Sequence, residues 1–444
     1  MSREQWATRL GFILAAVGSA VGLGNIWRFS YVTGENGGAA FLIIYILCIF
    51  LVGLPVLLAE FSVGRRGQSD AIGSFNKIAP GKPWVLGGIL GVLSSFFILS
   101  FYGVIAGWII YFLYSYLTGT AQGVGAGEFE NFFSNFAGGS YGPVFWQFLF
   151  MAIVIVIVFF GVKKGIEFSN KIFMPLLAIL LIILAGFSLT LDGASDGLAF
   201  LFSPEWSAFG NPDVYAAAVG QAFFTLSLGM GAMITYSSYL SKETKLPHAA
   251  GTVVTLDTIF AIVAGIVIFP AVFTFANIAP TDGAGLVFVT LPEVFGLMGG
   301  AGSFFAILFF FLVAIAALSS AISLLEVSVS FVMRKMKWSR KKATLIAGIA
   351  VTLLGIPSAL SQGGPFDFLI FGETFLDFVD LLTDQYFLPL GGMIIALFVG
   401  WGWNKVDALK ETGLTNTMIG TIWIWFIRII APLGILWILL LNIL

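Results

Sequence analysis

Two of this chain's long apolar runs are interrupted in the middle by glycine and hydroxyl or amide residues, which constrains the fold more than any other feature. A bilayer core takes about 20 residues as helix. Runs of that kind lie near 9–30, 39–64, 84–118, 143–161, 167–191, 214–241, 249–276, 301–334, 342–360, 375–403 and 415–443. Hydrophobic residues make up 59% of the 444 and charged ones 10%. A soluble domain is about 25% charged, so a water-soluble enzyme, a nucleic-acid binder and a disordered chain are all excluded. The start of the chain lacks the short apolar segment and small-residue cleavage site of a signal peptide, so the first run reads as a span. The expected architecture is an all-α polytopic membrane protein with eleven transmembrane helices.

Charge gives the orientation. All but two of the 21 Lys and Arg residues fall before span 1 or in alternate connections, always on one side. The intervening loops 119–142 and 192–213 carry acids and no base. The positive-inside rule then places the N-terminus in the cytoplasm and, with eleven spans, the C-terminus outside. The exceptions, Arg28 and Arg428, lie inside or at the ends of apolar runs.

The first interruption is Gly18-Ser19-Ala20-Val21-Gly22-Leu23-Gly24-Asn25; the second is Thr225-Leu226-Ser227-Leu228-Gly229-Met230-Gly231. Helix propensity is poor at both, and backbone groups freed there must find other partners. The two runs are five spans apart, and an odd offset inverts one copy relative to the other. Spans 1–5 (about 9–191) and 6–10 (about 214–403) therefore read as inverted repeats with broken helices 1 and 6. Matching interruptions point to a binding site near the midplane. Close helix packing through small residues accounts for either break alone, but less readily for both in register. Residues 403–444 add an eleventh helix outside the 1–402 core.

Longer motifs carry a resemblance. Arg3-Glu4-Gln5-Trp6-Ala7-Thr8-Arg9-Leu10-Gly11, Gly22-Leu23-Gly24-Asn25-Ile26-Trp27-Arg28-Phe29 and Glu35-Asn36-Gly37-Gly38-Ala39-Ala40-Phe41 resemble the opening of neurotransmitter:sodium symporters, the LeuT-like family. Gly220-Gln221-Ala222-Phe223-Phe224-Thr225-Leu226-Ser227 and Ala317-Leu318-Ser319-Ser320-Ala321-Ile322-Ser323 do the same further on. The likeness runs from Arg3 to about Gly402 and fits the shorter, bacterial eleven-span branch. It implies the LeuT fold, a place in the bacterial inner (plasma) membrane, and sodium-coupled amino acid import with no obligatory protein partner.

The resemblance also implies a site. Backbone amides of Gly22, Leu23 and Gly24 at a half-helix N-terminus would hold a substrate carboxylate, with the Tyr102 hydroxyl beside them. Ala20, Ile98, Phe224, Thr225, Ser227, Met230, Ser320 and Leu324 complete the pocket. Relatives that take amines without a carboxylate carry an acid where Gly22 stands, so glycine implies a substrate bringing its own. With no acid or base in the wall and adaptable Met230 in it, hydrophobic L-amino acids, aromatic ones included, are expected. The implied first sodium site comprises Asn25, Thr225, Asp257 and the Ala20 carbonyl. The second comprises Ser319, Ser320 and the carbonyls of Gly18, Val21 and Ala316. Isolated Ser and Thr in membrane helices otherwise tend to bond their own backbone. Asp257 stands where the family commonly has Asn, and its fixed charge predicts that chloride is not required; a proton-carrying role is the rival reading. Glu60 and Glu326 read as polar contacts between helices.

The family pattern pairs Arg28 with Asp380 as the outer gate and places Arg3, Trp6, Ser238 and Tyr239 at the inner one. The inner gate's acid falls by register on Arg334, which has the wrong sign. Gly165 and Pro175, with nine residues between them, resemble a bacterial motif that unwinds helix 5 and is tied to opening a water path to the second sodium. Competing readings are a proton-coupled permease on the same fold, a transporter-like channel or sensor, and an intramembrane enzyme. The last lacks any nucleophile-and-base or metal-ligand motif, and the sole His248 has no evident partner.

Overall fold

The computed structural model describes residues 4–125, 127–275, 285–366 and 368–441. Helices α1 (Arg9–Ala20) and α2 (Gly24–Glu35) divide the first run at a bend of 49°. There follow α3 (Ala39–Gly67), α4 (Val85–Leu117), α5 (Gly142–Phe159) and α6 (Val162–Ser188). The second interrupted run becomes α7 (Pro212–Thr225) and α8 (Ala232–Ser237). Five long helices complete the bundle: α9 (Leu246–Phe275), α10 (Gly299–Met336), α11 (Arg340–Leu360), α12 (Phe375–Gly402) and α13 (Met418–Leu441).

Among the described residues nine helices are long and apolar enough to cross a membrane, ten if α1 and α2 count as one span. Eleven crossings are reached only by joining α7 to α8, which have 14 and 6 residues and cannot span alone. The fifth span starts earlier than its hydropathy suggests, at Val162, because a wide π-turn over Val162–Glu167 precedes the regular helix.

Local chemistry explains both breaks. Val21 leaves the helical region (φ −75°, ψ 97°), and glycines on either side of Leu23 tolerate the unwound backbone. Between α7 and α8, Ser227, Gly229 and Gly231 all have positive φ, at 53°, 75° and 73°. Ser227 pays the steric cost of that conformation, on the order of 1–3 kcal/mol, and its hydroxyl donates to the Ser19 carbonyl at 2.8 Å. The freed groups find partners, as they must in a membrane interior. Gly229 N–H donates to Glu60 Oε1 at 2.7 Å, Ser95 Oγ donates to the Met230 carbonyl, and Gln221 Nε2 donates to the Gly24 carbonyl at 2.8 Å. A side chain at Gly229 would meet the Leu388 carbonyl oxygen at 2.3 Å, so glycine lets the break touch α12 directly.

Around this centre α10 packs along α4 and also against α1, α6 and α11. Both unwound segments therefore sit inside a helical wall rather than against lipid.

Candidate functional site

The two breaks, α4 and α10 enclose a narrow cavity. It is lined by Ser19, Ala20, Gly22, Leu23, Gly24, Ile98, Tyr102, Phe224, Ser227, Met230, Ser320 and Leu324. Every residue assigned to the pocket from sequence lies on this wall except Thr225, which turns away toward Asp257. Ser19 is an addition. Its hydroxyl donates to Ser323 Oγ at 2.7 Å, a link between α1 and α10 that hydroxyl spacing alone could not single out. One end is polar: Leu23 N–H points at the Tyr102 hydroxyl, 3.5 Å away. Gly22 is tightly confined, since a Cβ there would lie 2.2 Å from Ser320 Oγ. The rest of the wall is aliphatic or aromatic apart from the hydroxyls of Ser19 and Ser227. The cavity thus offers donors at one end and apolar contact elsewhere, with no charge of its own.

Beside it lies a closed cluster of oxygens and amides. Asn25 Nδ2 donates to Asp257 Oδ1 at 2.8 Å and to the Asp257 carbonyl at 3.1 Å, while Asn25 Oδ1 accepts from Gly22 N–H at 3.1 Å. Thr225 Oγ1 donates to both Asp257 carboxylate oxygens, at 3.0 and 3.1 Å. None of the three is more than 1% exposed. A buried carboxylate held only by neutral donors is costly unless a cation joins it. Three side-chain oxygen sources at one buried point suit a hard cation.

A second cluster lies where α1 meets α10. Ser319 Oγ donates to the Ala316 carbonyl at 2.8 Å and reaches the Val21 carbonyl at 3.4 Å. Ser320 Oγ reaches the carbonyls of Ser19 and Gly18 at 3.2 and 3.4 Å. All the oxygens assigned to the second sodium site therefore converge across the α1–α10 contact.

Toward the acidic end of the bundle, Arg28 stacks over the ring of Phe224, a residue of the cavity wall, 4.5 Å from its centroid. Its carboxylate partner differs from the expected one. Arg28 Nη1 and Nη2 donate to Asp384 Oδ1 and Oδ2 at 2.7 and 2.6 Å, and Asp380 makes no ion pair with it. Asp384 lies one turn further along α12, on the same face, where a π-turn over Leu382–Phe387 carries it inward.

At the basic end, Trp6 Nε1 donates to the Tyr236 carbonyl at 2.8 Å and the indole packs edge-on to Tyr236 and Tyr239. Ser238 is buried nearby. Arg3 lies outside the described residues. An ion cluster lies beside it: Arg340 binds Glu326 at 2.6 and 2.8 Å and Glu4 at 2.7 Å, and Tyr239 donates to Glu326 at 2.5 Å. Arg334, instead of standing in for an acid, binds Asp70. Near Gly165 and Pro175 on α6, Glu167 accepts from Ala7 N–H at 2.7 Å and from Thr8 Oγ1 at 2.8 Å, tying α6 to the start of α1.

Comparison with known proteins gives the family. A family model described as the Sodium:neurotransmitter symporter family matches residues 3–122 and 136–444. An uncharacterized sodium-dependent transporter, YhdH of Bacillus subtilis (strain 168), is 40% identical over 97% of this chain and 96% of its own. An uncharacterized sodium-dependent transporter of Haemophilus influenzae is 37% identical over 99% of this chain and 98% of its own. A crystal structure of MhsT in complex with L-phenylalanine superposes with a TM-score of 0.93 at 59% identity, each chain covered completely.

Proposed function

This chain belongs to the Sodium:neurotransmitter symporter family, and from that premise we propose that it imports hydrophobic L-amino acids, aromatic ones included, together with sodium. It is a sodium-dependent transporter with the LeuT fold, built from multiple membrane-spanning helices, and not an enzyme. The observation that carries the finer reading is the cavity with donors at one end and apolar walls, set against the buried Asn25–Thr225–Asp257 cluster. A zwitterion fits that polarity. Its carboxylate takes the amides at the start of α2 and the Tyr102 hydroxyl, and its side chain takes the walls lined by Ile98, Phe224, Met230 and Leu324. The MhsT neighbour holds L-phenylalanine, which supports the same substrate class here.

Two sodium ions travel with the substrate in this reading. The first lies against Asn25, Thr225, Asp257 and the Ala20 carbonyl, where the substrate carboxylate completes its coordination and couples the two. The second lies between Gly18, Val21, Ala316, Ser319 and Ser320. The Asp257 charge makes chloride unnecessary. Arg28 with Asp384 closes the outer side, and Trp6, Ser238 and Tyr239, with the Arg340–Glu326 pair, close the inner side. The site opens to one side at a time by alternating access, and the N-terminus faces the cytoplasm.

Thermal stability of the purified protein with each of the twenty amino acids, in sodium and in potassium, tests this reading. A ligand that binds the folded state stabilises it by mass action, so a true substrate raises the melting temperature strongly only when sodium is present. Equal shifts in both salts would favour the proton-coupled alternative.

A further inference from the structure

Of the two bases that lie outside the basic connections, Arg28 has its acid and Arg428 does not. Arg428 stands on α13, in a π-turn over Phe426–Ile430, and its side chain crosses to the last turn of α12. Nε donates to the Gly400 carbonyl at 2.6 Å, and the guanidinium lies over the Trp401 ring, 4.9 Å from its centroid. The Trp401 indole N–H returns a bond to the Arg428 carbonyl at 3.3 Å. A Cβ on Gly400 would lie 3.0 Å from Arg428 Cγ, so glycine there lets the arginine pass close across α12. These contacts hold the guanidinium in one place and occupy one of its three nitrogens. Among the described residues no carboxylate pairs with the other two.

The surroundings say what completes it. Trp401, Trp425, Ile429 and Ile430 are all exposed, so in a membrane this seam between α12 and α13 faces lipid. It lies near the end of α12, where Trp84 packs on Gly402 and the chain runs on to exposed Lys405 and Lys410. Asp407 stands between those two lysines, and Glu411 is taken up by Arg65 at 2.7 Å. Tryptophan gathers at the level of lipid headgroups, and a long arginine side chain reaches toward that level. An unpaired charge facing lipid is costly, and a guanidinium fork matches a phosphate with two parallel hydrogen bonds.

We propose that Arg428, backed by Trp401 and the Gly400 carbonyl, is a binding site for the phosphate of an anionic phospholipid in the α12–α13 seam. The guanidinium and the two lysines beyond it favour a headgroup with net negative charge over a zwitterionic one. The lipid's phosphate takes Nη1 and Nη2, and its acyl chains lie along Ile429 and Ile430.

Native mass spectrometry of the full-length protein in neutral detergent tests this, with dioleoyl phosphatidylglycerol, dioleoyl phosphatidylcholine or inorganic phosphate titrated in and binding read on the folded monomer. The wild type should retain one phosphatidylglycerol in preference to phosphatidylcholine. Arg428→Gln should weaken that first phosphatidylglycerol on the order of tenfold and abolish the preference, whereas Arg428→Lys, which keeps the charge, should keep it. If Arg428 only joins α13 to α12, Arg428→Gln lowers the melting temperature while phosphatidylglycerol binding stays within twofold of wild type, and the proposal is overturned. Equal retention of both lipids by the wild type, or a Lys variant that binds as poorly as the Gln one, also overturns it. Inorganic phosphate held as tightly as phosphatidylglycerol, and lost in Arg428→Gln, would assign the site to a free anion and overturn the lipid.

Discussion

Arg28 and Asp384 meet through two parallel hydrogen bonds, at 2.7 and 2.6 Å, directly above the Phe224 ring. The pair is partly exposed, at 16% and 22%, so water can compete for it and it can open at modest cost. Asp384→Asn should therefore speed substrate exchange from the acidic side by roughly tenfold, the loss of a charged hydrogen-bond pair. Asp380→Asn should do so by less. Dissociation rates of bound L-phenylalanine in the two variants decide the order, and a larger effect at Asp380 would remove Asp384 from the gate.

Gly22 has no room for a side chain. Its Cβ would stand 2.2 Å from Ser320 Oγ, so Gly22→Ala should weaken substrate binding by about tenfold to a hundredfold through overpacking. Removing the hydroxyl relieves the contact, so the same change should cost less in a Ser320→Ala background. A double-mutant cycle in binding affinity measures that coupling. Strict additivity would mean that the clash is not what limits this position.

Asp257 supplies the formal negative charge of its buried cluster. Asp257→Asn keeps the size and removes that charge, so the sodium concentration for half-maximal substrate binding should rise at least about tenfold. If Asp257 also replaces an anion, chloride should partly restore the variant while leaving the wild type unaffected. Sodium titrations with chloride and with gluconate as the anion separate the two effects. A chloride requirement in the wild type would end the argument for a fixed charge.

At the basic end Arg340 and Glu326 are 9% and 0% exposed. Removing one partner of a buried pair costs about 3–5 kcal/mol in general, whereas replacing both by apolar residues of similar volume is often neutral. Glu326→Gln should lower the melting temperature and raise labelling of a cysteine placed in the inner path. The combined Glu326→Gln and Arg340→Met protein should recover part of the stability but not the closed inner path. Labelling unchanged in both variants would leave the pair with a purely structural role.

How far this could be read from sequence differs by feature. The long spans follow from apolar length, because lipid accepts little else, and both breaks follow from glycine beside hydroxyl residues. The pocket wall was legible because motif residues near the breaks fix which backbone lies there. The gate partner was not: Asp380 and Asp384 are four residues apart and share a face, and only the π-turn over Leu382–Phe387 shows which one reaches Arg28. The ion cluster at the basic end was hidden for a different reason. Arg340 meets Glu4 and Glu326 across three separate segments, a convergence that spacing along the chain does not encode. Ser19 was also missed, since a single hydroxyl in a membrane helix ordinarily bonds its own backbone.

The central claim is coupling of amino acid movement to sodium. Uptake of L-phenylalanine into proteoliposomes, driven by an inward sodium gradient with pH equal on both sides, tests it most directly. Concentrative uptake that collapses when sodium is replaced by potassium, with sodium entering alongside the substrate, is the predicted result. Concentrative uptake in potassium driven by a pH gradient alone, or sodium flux at channel rates without an amino acid, would contradict it.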